Sequence, residues 1–274
     1  IIISGTQGDV QPFLVVAKGL IRAGHKIRIA THEPFRAFVN KKAPEVEFVD
    51  LGGDPREMMQ YVVDHPQMVT LNQKDLQTQT KNMNFIVDGS YQACITPSPV
   101  PSSQSSSSPS DSPSSSFRES GEKENENEKE KEPECWPDII ICNPPVPTHI
   151  HLAEKFGIPL QIWFPMPWSQ TKAYRHPFAS FLDFMYANDT SYTVLDNMMW
   201  TGTMKKINEF RSSIDQPPII HGAHLLRDLK VPHVYLFSPH LAPRPDDWGP
   251  EISIAGFMFL EEEEERKREE ERQK

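Results

Sequence analysis

The stretch "IIISGTQGDVQPFLVVAKGLIRAGHKIRIA", Ile1 to Ala30, decides the fold. Its opening triplet is β-branched and apolar on both faces, so Ile1–Ser4 reads as the end of a strand buried in a parallel sheet. Phe13, Leu14, Val16, Ala17, Leu20 and Ile21 recur at helical spacing, which predicts a helix over Val10–Ala23 with Gly24 as its C-cap. "KIRIA", Lys26 to Ala30, is the next strand. A strand, a glycine turn, an amphipathic helix and a second strand follow each other within thirty residues. That order is the start of an α/β fold with a parallel sheet.

The period continues on both sides of one interruption. Glu33-Pro34 opens a short helix over Pro34–Asn40, with proline in the first turn. Val46–Leu51 is a third strand, closed by Gly52-Gly53, and Pro55–Asp64 and Leu71–Tyr91 read as helices. Thr96 to Glu134 then changes composition, first to Ser and Pro, then to Glu, Lys and Asn. Nothing in it can offset the entropy of ordering, so residues 96–135 are expected to be a disordered insertion. "DIIIC", Asp138 to Cys142, resumes the sheet. A helix over Pro147–Phe156 ends at Gly157, and "PLQIWF", Pro159 to Phe164, is a strand. Helices are expected over Phe178–Ala187 and Thr190–Arg211, and strands over His233–Ser238 and Ile252–Ile254. The charged run 261–274 reads as a tail. Residues 1–95 and 136–260 together make one domain of roughly 220 residues, a plausible single unit.

The bulk numbers exclude several functions. A formal net charge of -10 in 274 residues argues against a nucleic-acid surface, which needs clustered Lys and Arg. Cys94, Cys135 and Cys142 have neither zinc-knuckle nor CxxC spacing, and their odd count fits a reducing, cytoplasmic setting. No apolar run approaches the roughly 20 residues of a membrane span. Most of the histidines are scattered, without HxxxH or HExxH, so no metal site is expected. The chain begins at Ile1 inside a strand, which suggests that its natural start lies further upstream.

Ligands of open parallel sheets bind beyond the carboxyl ends of the strands. Three loops lie there: Gly5–Pro12, Thr31–Pro34 and Phe164–His176. Gly5-x-x-Gly8 is neither a dinucleotide fingerprint nor a Walker loop, but it allows a tight turn and close approach of a ligand. Asp9 falls where an N-cap is expected. An acid there can cap the helix, hold a phosphate loop in shape or act as a base, and the residues alone leave all three open. His32 lies at the productive edge of the sheet, whereas His25 lies at the far end. Trp163, Phe164, Met166 and Trp168, interrupted by Pro165 and Pro167, fit either a greasy pocket or packing beneath their loop.

"GTQGDVQPFLVVAKGLIRAGHKIRIATHEPFRAFV", with "LGGDPREMM" after it, resembles the start of the sterol 3-beta-glucosyltransferases. These belong to the UDP-glycosyltransferases of GT-B fold, in which two Rossmann-like domains face each other across a cleft. "PDIIICNPPVPTHIHLAEKFGIPLQIWFPMPWSQTKAYRHPF" resembles a later segment of their acceptor domain, and "SPHLAPRPDDWGPEISIAGFMFL" its exit. A "HHGGAGT"-like donor motif is absent from the 274 residues. The resemblance therefore implies the N-terminal, acceptor-binding half of an inverting glucosyltransferase, inactive without a donor domain that binds UDP-glucose, and with no cofactor or metal.

In relatives carrying "GH" in the first turn, the histidine is the base. Here "GD" implies Asp9 in that role, with His32 as a second candidate and as a polar neighbour of Asp9. Gly5, Thr6 and Gly8 would lie near the donor. Trp163, Phe164, Met166, Trp168 and His176 would contact the sterol, and "FASFLDFMY" would face a membrane. Two other functions share these features: a glycosyltransferase for another hydrophobic acceptor, such as a macrolide or a phenol, and a non-catalytic binding or regulatory fragment.

Overall fold

The computed structural model describes residues 1–65, 72–97, 136–179 and 187–260. The expected helix over Phe178–Ala187 and the membrane-facing segment fall mostly outside them, as do nearly all of the insertion and the charged tail. Seven helices are described: α1 (Gln7–Arg22), α2 (Arg36–Lys42), α3 (Pro55–Asp64), α4 (Gln73–Ile95), α5 (His149–Phe156), α6 (Asn188–Ser213) and α7 (Leu225–Asp228). The strands are β1 (Arg28–Thr31), β2 (Glu47–Asp50), β3 (Ile140–Cys142), β4 (Leu160–Phe164), β5 (His233–Tyr235) and β6 (Ile252–Ile254).

β1 pairs with β2, and β3–β4–β5–β6 form a second ladder, every pairing parallel. The expected first strand is reduced to a single bridging residue. Ile2 pairs in parallel with both Ala30 and Cys142 and so joins the two ladders in the order β2-β1-Ile2-β3-β4-β5-β6. Its N–H donates to Ile141 O at 2.9 Å, and Ile3 N–H donates to Ala30 O at 2.9 Å. Beyond Ile3 the backbone ladder gives out and Asn143 takes over. Its amide accepts from Ser4 N–H at 3.1 Å and donates to Ser4 O at 2.7 Å. Chain order runs outward in both directions from this place. It is a topological switch point, where open α/β sheets leave a crevice.

Each face of the sheet carries its own core. Ile3, Val10, Phe13, Leu14, Ala17, Ile29, Val39 and Ile141 pack on the α1–α2 side. Ile2, Leu51, Ile86, Cys142, Leu152, Ile162 and Phe210 pack on the side of α4, α5 and α6. The fold is thus α/β, a Rossmann-like parallel sheet with helices on both faces.

Some sequence boundaries shift for physical reasons. Helix α1 starts three residues before Val10 because Thr6, extended at φ -98°, is the N-cap. Pro12 lies inside the helix, past its first turn, and so removes one N–H from the helical ladder. Pro34 sits in a 3-10 turn, Glu33–Phe35, ahead of α2. β5 stops at Tyr235, short of Ser238, and α6 runs slightly beyond both ends of its expected span.

Candidate active site

Asp9 is the third residue of α1, not its cap. Its Oδ2 accepts from Thr6 N–H at 2.7 Å and from the Thr6 hydroxyl at 3.0 Å, which closes the acidic half of a capping box. Both bonds end on Oδ2, so Oδ1 is the oxygen left for a ligand. Burial raises the Asp9 pKa from its ordinary value, and the Thr6 bonds pull against that rise. Gly5 makes the arrangement possible. Its φ is +141°, and a Cβ there would overlap the Asp9 carboxylate. Gly8 is an ordinary helical residue near nothing but the Thr6 hydroxyl.

His32 lies on the other side of Gly5 and is fully buried. Its Nδ1 is 2.6 Å from Gly52 O, which can only accept, so Nδ1 carries the proton. Nε2 then accepts from Gly5 N–H at 3.2 Å. Both ring nitrogens are committed, and burial lowers the His32 pKa. The structure makes His32 a brace that fastens the glycine loop to the end of β2. A second base is not what this geometry provides, and no hydrogen bond joins it to Asp9.

Ser4, Gly5, Thr6 and Asp9 open onto a cavity of about 1680 Å³, larger than the roughly 300–1,000 Å³ of ordinary small-molecule pockets. Its walls come from α3, α4, α6, α7 and the loops after β3 and β4, and most are apolar: Met83, Ile86, Phe164, Met166, Trp168, Leu195, Met199, Ile207 and Leu226. Phe164, Met166 and Trp168 line it as expected from their loop.

Trp163 does not. Alternation along β4 sends Gln161 and Trp163 to one face and Ile162 and Phe164 to the other. The Trp163 indole packs with the α1 core and donates to Gln161 Oε1 at 2.9 Å. His176 is also displaced from the cavity. It stands behind Trp168, ring centroids 4.4 Å apart, with Nδ1 accepting from Phe178 N–H. Burial lowers its pKa to about 4.

Several polar groups on the cavity wall were not singled out in the sequence. Asp196 on α6 lies 3.4 Å from His224 Nδ1, and burial raises its pKa to about 6. His149, His151 and His233 also line the cavity. They come from α5 and β5, so only the tertiary fold brings them together. His151 Nδ1 accepts from Arg211 Nη1 at 3.0 Å, and Arg211, 1% exposed, also pairs with Glu154 at 2.7 Å. Among the described residues, no cluster of three or more His, Cys, Asp or Glu side chains could hold a metal, and no helix is long and apolar enough to cross a membrane.

Comparison with known proteins shows what this chain is similar to. Residues 1–96 match the glycosyltransferase family 28 N-terminal domain. Residues 1–96 belong to that domain family. The chain is similar to two sterol 3-beta-glucosyltransferases of Arabidopsis thaliana, at 34% and 33% identity. The matches cover 95% of the chain and 37% and 36% of those relatives. A sterol 3-beta-glucosyltransferase of Yarrowia lipolytica is 30% identical over 94% of the chain and 15% of its own length. The chain thus spans little more than a third of the Arabidopsis relatives. Among solved structures, the chain is similar to the calicheamicin glycosyltransferase CalG4, with TM-score 0.46, 12% identity, and coverage of 93% of this chain and 51% of that one. The relatives found are of the family that the opening sequence resembles.

Proposed function

We propose that this glycosyltransferase chain is the acceptor-binding half of a UDP-glucose:sterol glucosyltransferase, with Asp9 as the catalytic base. The observation that carries the reading is the placement of a half-buried carboxylate, with one oxygen unbonded, on the wall of a large apolar cavity at the switch point of the sheet. The names of the relatives support a sterol acceptor. UDP-glucose would be held mainly by a second domain outside this chain, and no cofactor or metal is needed.

A sterol hydroxyl is too weak an acid to ionise before it reacts. The proposed step is concerted. The acceptor oxygen bonds to the anomeric carbon as the bond from that carbon to the UDP oxygen breaks. The hydroxyl proton passes to Asp9 Oδ1, and the leaving electron pair goes to UDP. The attack comes from the face opposite UDP, so the anomeric configuration inverts. The raised Asp9 pKa strengthens the base, since proton transfer favours a catalytic pKa nearer the working pH. The N-terminus of α1 at Thr6–Asp9 presents a partial positive charge towards the leaving diphosphate. Phe164, Met166 and Trp168 would hold the apolar body of the acceptor. Association with a membrane surface, where sterols reside, belongs to the same proposal.

The test is Asp9→Asn in this chain joined to a donor domain. Asn keeps an oxygen for the Thr6 N–H but cannot take the proton. Turnover should fall by at least about 10²-fold, with stability changed by less than about 1 kcal/mol. Near-normal turnover in a folded Asp9→Asn enzyme would remove Asp9 as the base.

A further inference from the structure

His149 is the first residue of α5, in the loop-helix junction that follows β3. It is 7% exposed, and the surface it keeps faces the cavity. Its Nδ1 accepts from Ile150 N–H at 2.7 Å. That bond fixes the tautomer: the proton of the neutral ring is on Nε2, and no described residue accepts it. Burial, with His151 and His233 nearby, lowers the His149 pKa to about 3, so the ring stays neutral at any physiological pH. It is therefore neither a base nor a cation. It is a fixed, uncharged hydrogen-bond donor carried by a residue of the cavity wall.

The backbone that carries it is held on two sides. The Thr148 hydroxyl lies 2.6 Å from Ser90 Oγ on α4. Six residues before His149, Asn143 is bonded in both directions to Ser4, which leads into Gly5, Thr6 and Asp9. Pro144, Pro145 and Pro147 line the cavity between them and limit the flexibility of the connection. The loops bearing Asp9 and His149 thus leave neighbouring positions of one parallel sheet at the same edge. One supplies an acceptor oxygen and the other a donor N–H.

We propose that His149 is the positioning residue for the acceptor hydroxyl: the hydroxyl donates its proton towards Asp9 while its oxygen accepts from His149 Nε2–H. This rests on the reading of the cavity as the acceptor site. The two-point grip selects a group that is at once donor and acceptor, and it leaves a second oxygen lone pair for attack. A ketone at the same place satisfies His149 and leaves Asp9 unserved. A hydrocarbon satisfies neither.

The experiment measures binding of cholesterol, its 3-ketone and its 3-deoxy hydrocarbon to the purified chain in mild detergent, followed by tryptophan fluorescence. The wild-type chain should bind the ketone about tenfold tighter than the hydrocarbon, the value of one net hydrogen bond. His149→Phe should bring that ratio close to one and leave hydrocarbon affinity within about twofold. His149→Gln places an amide N–H near the lost Nε2–H and should restore most of the preference. An unchanged ratio in His149→Phe overturns the assignment, as does a wild-type chain that binds all three ligands equally; both leave the acceptor site standing. If no ligand binds the wild-type chain, the acceptor site itself falls, and His149's role with it. Should His149→Phe fail to fold, the wild-type ring reports directly by NMR. Its Nε2–H resonance should move downfield with the ketone and not with the hydrocarbon, and equal shifts refute the proposal.

Discussion

Acidifying the solution from about pH 7.5 to about pH 5 should remove a large part of the stability of this domain, because several histidines are buried uncharged. His149, His151 and His176 have pKa values lowered from 6.5 to about 3, 4 and 4, in each case chiefly by burial. The folded values lie below the unfolded ones. As pH falls through 6.5 the unfolded chain gains protons that the folded chain refuses, so stability drops with pH. At pH 5 an unfolded histidine is about 1.5 units below its own pKa. At about 1.36 kcal/mol per unit, each ring gives up about 2 kcal/mol, or about 6 kcal/mol for the three. Asp196 works the other way. Its pKa is raised from 3.8 to about 6, so its cost is present at high pH and is relieved as it protonates, returning roughly 1 kcal/mol. The net loss is about 4–5 kcal/mol, against a total of about 5–15 kcal/mol for a typical domain. Urea titrations at the two pH values, followed by circular dichroism and tryptophan fluorescence, measure it. A loss below about 1 kcal/mol, or a gain, would show that these rings are not held neutral in the folded state.

Two further outcomes concern the loop and the tryptophans. Gly5→Ala should lower stability by about 1–3 kcal/mol, because it forces a side chain into a positive-φ site and onto the Asp9 carboxylate; Gly8→Ala should stay within about 0.5 kcal/mol. Equal melting temperatures for the two variants would contradict the role given to Gly5. Trp168→Ala should weaken binding of a hydrophobic acceptor by about tenfold or more, whereas Trp163→Ala should leave affinity intact and cost about 1–3 kcal/mol of stability. A matched loss of affinity in both would mean that the two faces of β4 have been misread.

The α/β fold was legible because its signals are local: apolar runs, helical spacing, and glycines at the turns. What escaped was decided either by offsets of one to three residues or by distance in the chain. Thr6-x-x-Asp9 has capping-box spacing, and reading it as such would have placed the cap at Thr6 and given Asp9 its true position. Trp163 was grouped with its loop by proximity, although the period of two along "LQIWF" already separates it from Phe164. His32 stood at the right edge of the sheet, but no sequence rule shows that Gly52 O and Gly5 N–H occupy both of its nitrogens. The histidines of the cavity are invisible for a different reason. His149 follows β3 and His233 opens β5, which the sheet sets on either side of β4, and Asp196 enters from a helix whose contribution to the wall has no sequence signal.

The described residues on either side of the stretch 98–135 are anchored away from the Asp9 loop. Arg28, at the start of β1, donates to Ala93 O near the end of α4 at 2.8 Å. Trp136 stacks edge-on against Phe156, the last residue of α5, with ring centroids 4.8 Å apart. Both attachment points therefore lie at the amino edge of the sheet, and the cavity opens at the carboxyl edge. The two attachment points thus lie on the side away from the Asp9 loop. Such a junction is a natural splice port: a reporter domain inserted there would travel with the protein while the cleft stayed unobstructed, so the place of the protein in a cell could be followed without disturbing what it binds.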